Sequence, residues 1–146
     1  MHFEGTFDVK VQREKVFDFL MDAKNLSACI PGLQKLEVNS PNDFTVVVQA
    51  GVSFIKGDFT IRLELVDRER PSYARLVAGG SGMASTIDLD ATMELSEIDG
   101  GTSLKWRAEA KIGGRIALVG QRLISGAAEK IVTQLFDNLR SNLVKA

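Results

Sequence analysis

Few side chains in this sequence are equipped to do chemistry. His2 is the lone histidine and lies on the polar side of an alternating stretch at the N-terminus, which reads as an exposed surface group rather than a base or a metal ligand. Cys29, the lone cysteine, has no partner for an internal disulfide and no histidine beside it by motif, and its apolar neighbours make it a buried structural thiol. Asp88 with Asp90, and Glu94 with Glu97, would suit two-carboxylate acid–base work, but they read more simply as the solvated side of a strand. Gly79-Gly80-Ser81-Gly82 has the composition of a phosphate loop only. No lysine follows it and the next element is a strand, so a bulge or mobile lip is the plainer reading. No catalytic residue, metal set or cofactor of its own is expected.

The chain has 146 residues, enough for one domain with one core, and residues 1–146 are read as a single unit. Its 18 Lys and Arg against 19 Asp and Glu leave a formal net charge of −1, which offers no basic field to a nucleic acid. There is no charged-then-apolar leader, no long apolar run and no lipidation motif. The expectation is a soluble, cytoplasmic protein.

Periodicity supplies the elements. His2 to Lys10 alternates, with Phe3, Gly5, Phe7 and Val9 on one face of a half-buried strand. From Arg13 the period lengthens: Val16, Phe17 and Leu20 share a side, and Asp22 caps a second short helix running to about Ala28. Cys29-Ile30-Pro31-Gly32 then forces a turn. Six alternating stretches follow: Leu33 to Asn39, Phe44 to Ala50, Gly57 to Val66, Tyr73 to about Gly79, Ser85 to Glu97, and a last one with Leu104, Trp106, Ala108, Ala110 and Ile112 inward. Hairpin-length connections make consecutive strands antiparallel. Gly113-Gly114 leads into the longest helical pattern, Arg115 to Val144, whose inner stripe is Ala117, Gly120, Ile124, Ala127, Ala128, Ile131, Leu135 and Leu139. The sequence thus predicts an α+β fold, a seven-stranded curved antiparallel sheet gripping a long C-terminal helix, with two short helices after the first strand.

The helical stripe is slim in its first half and bulky in its second. One helix about 10 Å wide cannot fill the concavity of a long bent sheet, least of all along a slim half. The strand residues Phe44, Phe54, Phe59, Ile61, Leu76, Ala78, Ile87, Leu89, Met93 and Trp106, with Ala117, Gly120, Ile124, Ala127 and Ile131 of the helix, are expected to line a cavity. Its mouth is expected near Gly79 to Ser85 and the start of the helix. No Asp, Glu, His, Lys, Arg or Cys falls on the strand faces assigned to the interior, and a one-residue slip would bury a row of charges. Such a cavity takes up a hydrophobic guest by partition, with the Trp106 indole N–H as a donor for a carbonyl.

Particular residues carry a family resemblance. They are Phe17-Asp18-Phe19-Leu20-Met21-Asp22, Ala28-Cys29-Ile30-Pro31-Gly32-Leu33, Gly57 after Phe54, Gly101-Thr102 with Leu104 and Trp106, and Gly113-Gly114 through Leu118-Val119-Gly120 and Arg122. With the order of elements, they make the chain resemble the carbon monoxide dehydrogenase G-subunit family, within the helix-grip superfamily of START-type lipid-binding proteins and polyketide cyclases. The resemblance implies an accessory protein to a molybdenum- and flavin-containing, carbon monoxide dehydrogenase-type oxidoreductase. It also implies an apolar pocket for a lipophilic molecule, such as a quinone carrying electrons toward a membrane, and hence transient contact with that membrane's inner face.

The combined expectation is a non-catalytic, quinone- or lipid-binding accessory protein. Two other readings stay open. One is a structural assembly factor that recruits the oxidoreductase through loops such as Ile30-Pro31-Gly32. The other is a cyclase- or aromatase-type enzyme, which would require titratable groups pointing inward.

Overall fold

The computed structural model describes residues 1–145. The chain runs β1 (His2–Val9), α1 (Arg13–Leu20), α2 (Ala23–Ala28), β2 (Leu33–Ser40), β3 (Asp43–Val52), β4 (Ile55–Glu69), β5 (Tyr73–Gly82), β6 (Ser85–Ile98), β7 (Gly101–Gly114), a 3-10 turn (Ile116–Val119) and α3 (Gln121–Lys145). The strands form one antiparallel sheet in the order β1-β7-β6-β5-β4-β3-β2. This is the expected α+β architecture. Strands β2 to β7 are neighbours because their connections are too short for anything else, whereas α1 and α2 carry the chain from one edge of the sheet to the other.

Local chemistry accounts for the short elements. In α1, Val16, Phe17, Phe19 and Leu20 are buried and fix its inner side. The Asp22 carboxylate accepts from the Asn25 backbone N–H at 2.9 Å and caps α2, satisfying a donor that the helix leaves orphaned. Register shifts between Leu65 and Asp67 on β4, and at two places on β2, insert bulges that bend the sheet. The outer face carries paired charges: Arg62 forks onto Asp43 at 2.6 and 3.0 Å, and Arg75 onto Asp90 at 2.7 and 2.9 Å. Each guanidinium holds its partner carboxyl below the usual range.

Two expectations are corrected. The long helix does not begin at Arg115. Gly120 adopts φ +96°, a region that L side chains avoid, and there the chain passes from the 3-10 turn into α3. Apolar spacing over four residues cannot separate a 3-10 turn from an α-helix, which is why the pattern runs through. The glycine run 79–82 is no bulge or lip but the regular end of β5, paired with both neighbours. Side chains from β4 lie across it: a Cβ on Gly80 would meet Ile61 at 2.9 Å and one on Gly82 would meet the Phe59 ring at 2.9 Å.

The core falls into two clusters. One gathers Phe7, Val16, Phe17, Leu20, Leu104, Leu139 and Leu143 between α1, the β1–β7 edge and the C-terminal half of α3. The other gathers Phe44, Val46, Val48, Phe59, Leu63, Ile116 and Ile124 between β3, β4 and the start of α3.

The turn after α2 connects these halves. Gly32 sits at φ +78° and its carbonyl accepts from Gln49 N–H at 2.8 Å, while a Cβ at this position would fall onto the Gln49 carbonyl oxygen. Gly32→Ala is therefore expected to cost about 2–4 kcal/mol, from the left-handed backbone and the clash together. A urea denaturation midpoint lowered by less than about 1 kcal/mol equivalent would contradict this account of the turn.

Candidate functional site

Bulky side chains pin α3 at both ends and small ones leave its middle apart from the sheet. At the C-terminal end Leu139 and Leu143 are fully buried, and Phe136 stacks on Phe7 with centroids 4.8 Å apart. The Arg140 guanidinium also lies over the Phe7 ring, at 4.7 Å, and donates to the Asp8 carbonyl, while Asn138 donates to the Cys29 carbonyl at 3.0 Å. At the N-terminal end Ile124 is buried against the second cluster. Between these anchors lies a cavity of about 440 Å³.

The strand register makes the space. Antiparallel pairing sets Ala91 opposite Ala108 and Leu89 opposite Ala110, so part of the sheet's inner face ends at Cβ. Ala127 and Ala128 of α3 line the same cavity. Around them stand Ile87, Met93, Leu104, Trp106 and Ile112 from β6 and β7, and Ile131, Val132, Leu135, Phe136 and Leu139 from α3. Phe3, Val52, Leu63, Leu76 and Ile116 complete the walls, with Leu20, Leu26, Cys29 and Ile30 from the α1–α2 side. No Asp, Glu, His, Lys or Arg is among the lining residues. Ile131 lines the cavity and is also 38 % exposed.

Trp106 owes its position to a glycine. Gly5 pairs with it across β1 and β7, and a Cβ there would stand 2.9 Å from the indole nitrogen, so the ring lies over bare backbone. Phe136 covers it at a centroid distance of 6.1 Å. The indole N–H has no hydrogen-bond partner among the described residues.

The residues expected to line the cavity divide into two groups. Leu76, Ile87, Leu89, Met93, Trp106, Ile124, Ala127 and Ile131 are on its wall. Phe44 and Phe59 are instead buried in the second cluster together with Ile116 of the 3-10 turn, with Ile61 and Ala78 packed against it, while Val52 and Leu63 of the same strands reach the cavity. Phe54 is exposed at the β3–β4 tip, and Ala117 and Gly120 are exposed in the connection to α3, off its inner stripe once that helix starts at Gln121. None of residues 79–85 lines the cavity, whereas Ile116 and Ile124 at the start of the helix do. Sequence reasoning also missed wall residues such as Phe3, Leu20, Leu26, Cys29, Ile30, Val52, Leu63, Leu104, Ile116 and Phe136, and a set of small ones, Ala91, Ala108, Ala110 and Ala128. The signal for the small ones is the alternation itself, in which larger side chains draw the eye.

The chemistry-bearing residues lie elsewhere, with one exception. Cys29 is fully buried on the cavity wall, its thiol directed to the Asn25 carbonyl at 3.4 Å and receiving Asn142 at 3.5 Å. Burial pushes the thiol pKa up, against a smaller lowering by Asn142, so the group stays neutral. Among the described residues no three His, Cys, Asp or Glu cluster as a metal site. Asp90 is engaged by Arg75, and Glu97 lies 3.6 Å from Arg13.

His2 bridges Glu4, at 2.7 Å, and Glu109 on the outer face of the β1–β7 edge. Hydrogen bonds to Glu4 and then Glu109 raise its pKa above 6.5, while the Glu4 pKa is lowered from 4.5. The His2 contribution is complete below the unfolded value and is lost as pH rises through the raised one; that of Glu4 is lost as pH falls through its lowered one. His2→Gln should thus lower the Tm relative to wild type at about pH 5.5 and leave it unchanged at about pH 9. An equal difference at both would refute the bridge.

Filling the space tests the packing. Ala108→Leu is expected to stabilise the protein by about 0.5–2 kcal/mol, because the added carbons enter the cavity. In a filled core the same change would cost about 1–3 kcal/mol, so the sign of the shift decides.

Comparisons with known proteins agree with this architecture. No curated protein matches the sequence. Among solved structures, a conserved protein of Geobacillus kaustophilus is 27 % identical, with 99 % of this chain and 96 % of that one covered and a TM-score of 0.92. A START superfamily protein of Mycobacterium smegmatis, 9 % identical, covers 99 % and 97 % with a TM-score of 0.78, and a Thermus thermophilus protein, 14 % identical, covers 99 % and 98 % at 0.74. These two show the START-like helix-grip fold alone. The model of the CoxG family, the G subunit of carbon monoxide dehydrogenase, matches residues 5–144, and the chain belongs to that family.

Proposed function

We propose that the protein is a non-catalytic carrier of a hydrophobic, quinone- or lipid-like guest, serving as accessory to a carbon monoxide dehydrogenase-type molybdenum oxidoreductase. The observation that carries this reading is the cavity of about 440 Å³ walled without Asp, Glu, His, Lys or Arg. Family membership supports the accessory role.

The mechanism is transfer from water. Each buried methylene contributes about 0.8 kcal/mol, so an isoprenoid or alkyl chain binds without an ion pair. Left dry, space of this size would cost about 10 kcal/mol at roughly 24 cal/mol per Å³, on the scale of a domain's whole stability. A fatty acid is disfavoured because no cation on the wall would receive its carboxylate. The Trp106 indole nitrogen lies over the Gly5 backbone, so what the cavity offers a guest is apolar area.

Acid–base turnover of the guest would need groups that the wall does not supply. The wall therefore supports the carrier reading over the cyclase one.

Native mass spectrometry with organic extraction, on protein purified from a quinone-producing host, tests the proposal. A co-purifying quinone or neutral lipid is expected, and Ala127→Trp, which places an indole in the cavity, should abolish uptake while the protein stays folded. Empty protein that still captures the oxidoreductase would replace the carrier reading with that of an assembly factor.

A further inference from the structure

The cavity is closed at both ends of α3 by side chains that also build the core. Toward the C-terminal end its wall is Phe136, stacked on Phe7, and Leu139, 1 % exposed. Toward the other end it is Ile116 and Ile124, 2 % and 6 % exposed. Leu139 belongs to the first core cluster, with Phe136 packed against it, and Ile116 and Ile124 belong to the second. A guest that extended along the helix past either pair would have to unpack a filled core.

The outside of the helix offers no apolar continuation. Ile131 is the exposed wall residue of α3, and Lys130, Thr133 and Gln134 around it are exposed and polar. A chain passing out beside Ile131 would therefore enter water. Volume then sets length. A dry apolar cavity of about 150 Å³ takes up one benzene, which is about 25 Å³ for each carbon. At that density the cavity of about 440 Å³ takes about 18 non-hydrogen atoms. Small side chains set this figure. Ala91 and Ala108 are paired across β6 and β7, and Ala127 and Ala128 stand on α3, all four on the wall. A leucine in place of any one of them would remove room for about three carbons of the guest.

We propose that the cavity limits its guest by length, enclosing an uncharged apolar molecule of up to about 18 non-hydrogen atoms, with the wall alanines setting the limit. This rests on the carrier reading and narrows its guest class to compact molecules. A bicyclic quinone with about one prenyl unit fills the space, as does a neutral chain of about 17 carbons. The further units of a long polyprenyl tail stay outside and add nothing to affinity.

The test exposes the full chain to hydrophobic beads loaded with an equimolar mixture of straight-chain primary alcohols of about 8 to about 24 carbons, then reads the bead-free protein by native mass spectrometry. Each alcohol leaves an apolar phase, so a carbon left outside the cavity lowers occupancy about fourfold. Each carbon position left vacant lowers it about threefold. Bound alcohol is expected to peak at about 17 carbons. The peak should move to about 14 in Ala108→Leu and in Ala128→Leu, which fill the space from the sheet and from the helix, and to about 20 in Leu89→Ala. Cooperative melting of each variant certifies its fold. Alcohols bound evenly to about 24 carbons, a wild-type peak more than about four carbons away from the expected one, or folded variants that keep the wild-type peak would overturn the length limit and leave the carrier reading in place. Wild-type protein that binds no alcohol of any length would overturn the carrier reading and the limit with it.

Discussion

The structure depends on how α3 is held: firmly at its ends and hardly in between. Leu139 and Leu143 lock one end into the cluster around Phe7, Phe17 and Leu104, and Ile124 locks the other beside Phe44 and Phe59. A helix so fixed cannot settle toward the sheet where the residues just past its first anchor, Ala127 and Ala128, are small. Interiors close around voids only as far as their backbones can move. Ala127 and Ala128 on the helix, with Ala91, Ala108 and Ala110 on the sheet, therefore leave a cavity instead of a tighter core. The hollow is thus a product of anchoring as much as of small residues.

The same anchoring explains why the polar groups near the helix are engaged in fixing it rather than in chemistry. Asn138 and Asn142 both reach Cys29, on the far side of the turn that Gly32 makes possible, and Arg140 reaches the Asp8 carbonyl. These contacts, two of them from exposed side chains, tie the helix to the turn and to β1 and so set its rotation, which decides which stripe faces inward. Charge pairs are kept to the outside, where Arg62, Arg70 and Arg75 fork onto Asp43, Asp18 and Asp90. Exposed pairs of this kind contribute little stability, but they keep carboxylates and guanidinium groups on the solvent side, where the register of the strands places them.

Much of this was legible from alternation alone, since β4, β6 and β7 each carry a charged row that only one register leaves in solvent. The order of elements, the seven strands and the placement of Ala127, Ile131, Leu89 and Trp106 on inner faces all follow from period. Three things did not. The start of α3 was hidden because Ile116 continues the apolar pattern that Gly120 interrupts only in φ. The split between packed and hollow parts of the inner face was hidden because Phe59 and Leu89 look alike along a strand, and only the position of the 3-10 turn separates them. The contributions of Leu20, Leu26, Cys29 and Ile30 depend on where α1 and α2 cross the sheet, which no local pattern encodes.

A wall without titratable groups constrains how a carrier works. Binding by partition has no charge-assisted contact that a change of pH or of partner charge would switch off, so affinity follows the apolar area covered. Release then requires either a competing apolar surface or a movement that uncovers the guest. Long contact between α3 and the sheet would oppose such a movement, but here the middle of the helix gains little from the sheet that a guest would not also supply. Ile131, facing both cavity and solvent, marks the side on which least packing must be broken. Delivery of a greasy molecule is in that sense favoured by the feature that makes room for it: a helix secured at its ends over a wall too small to reach it.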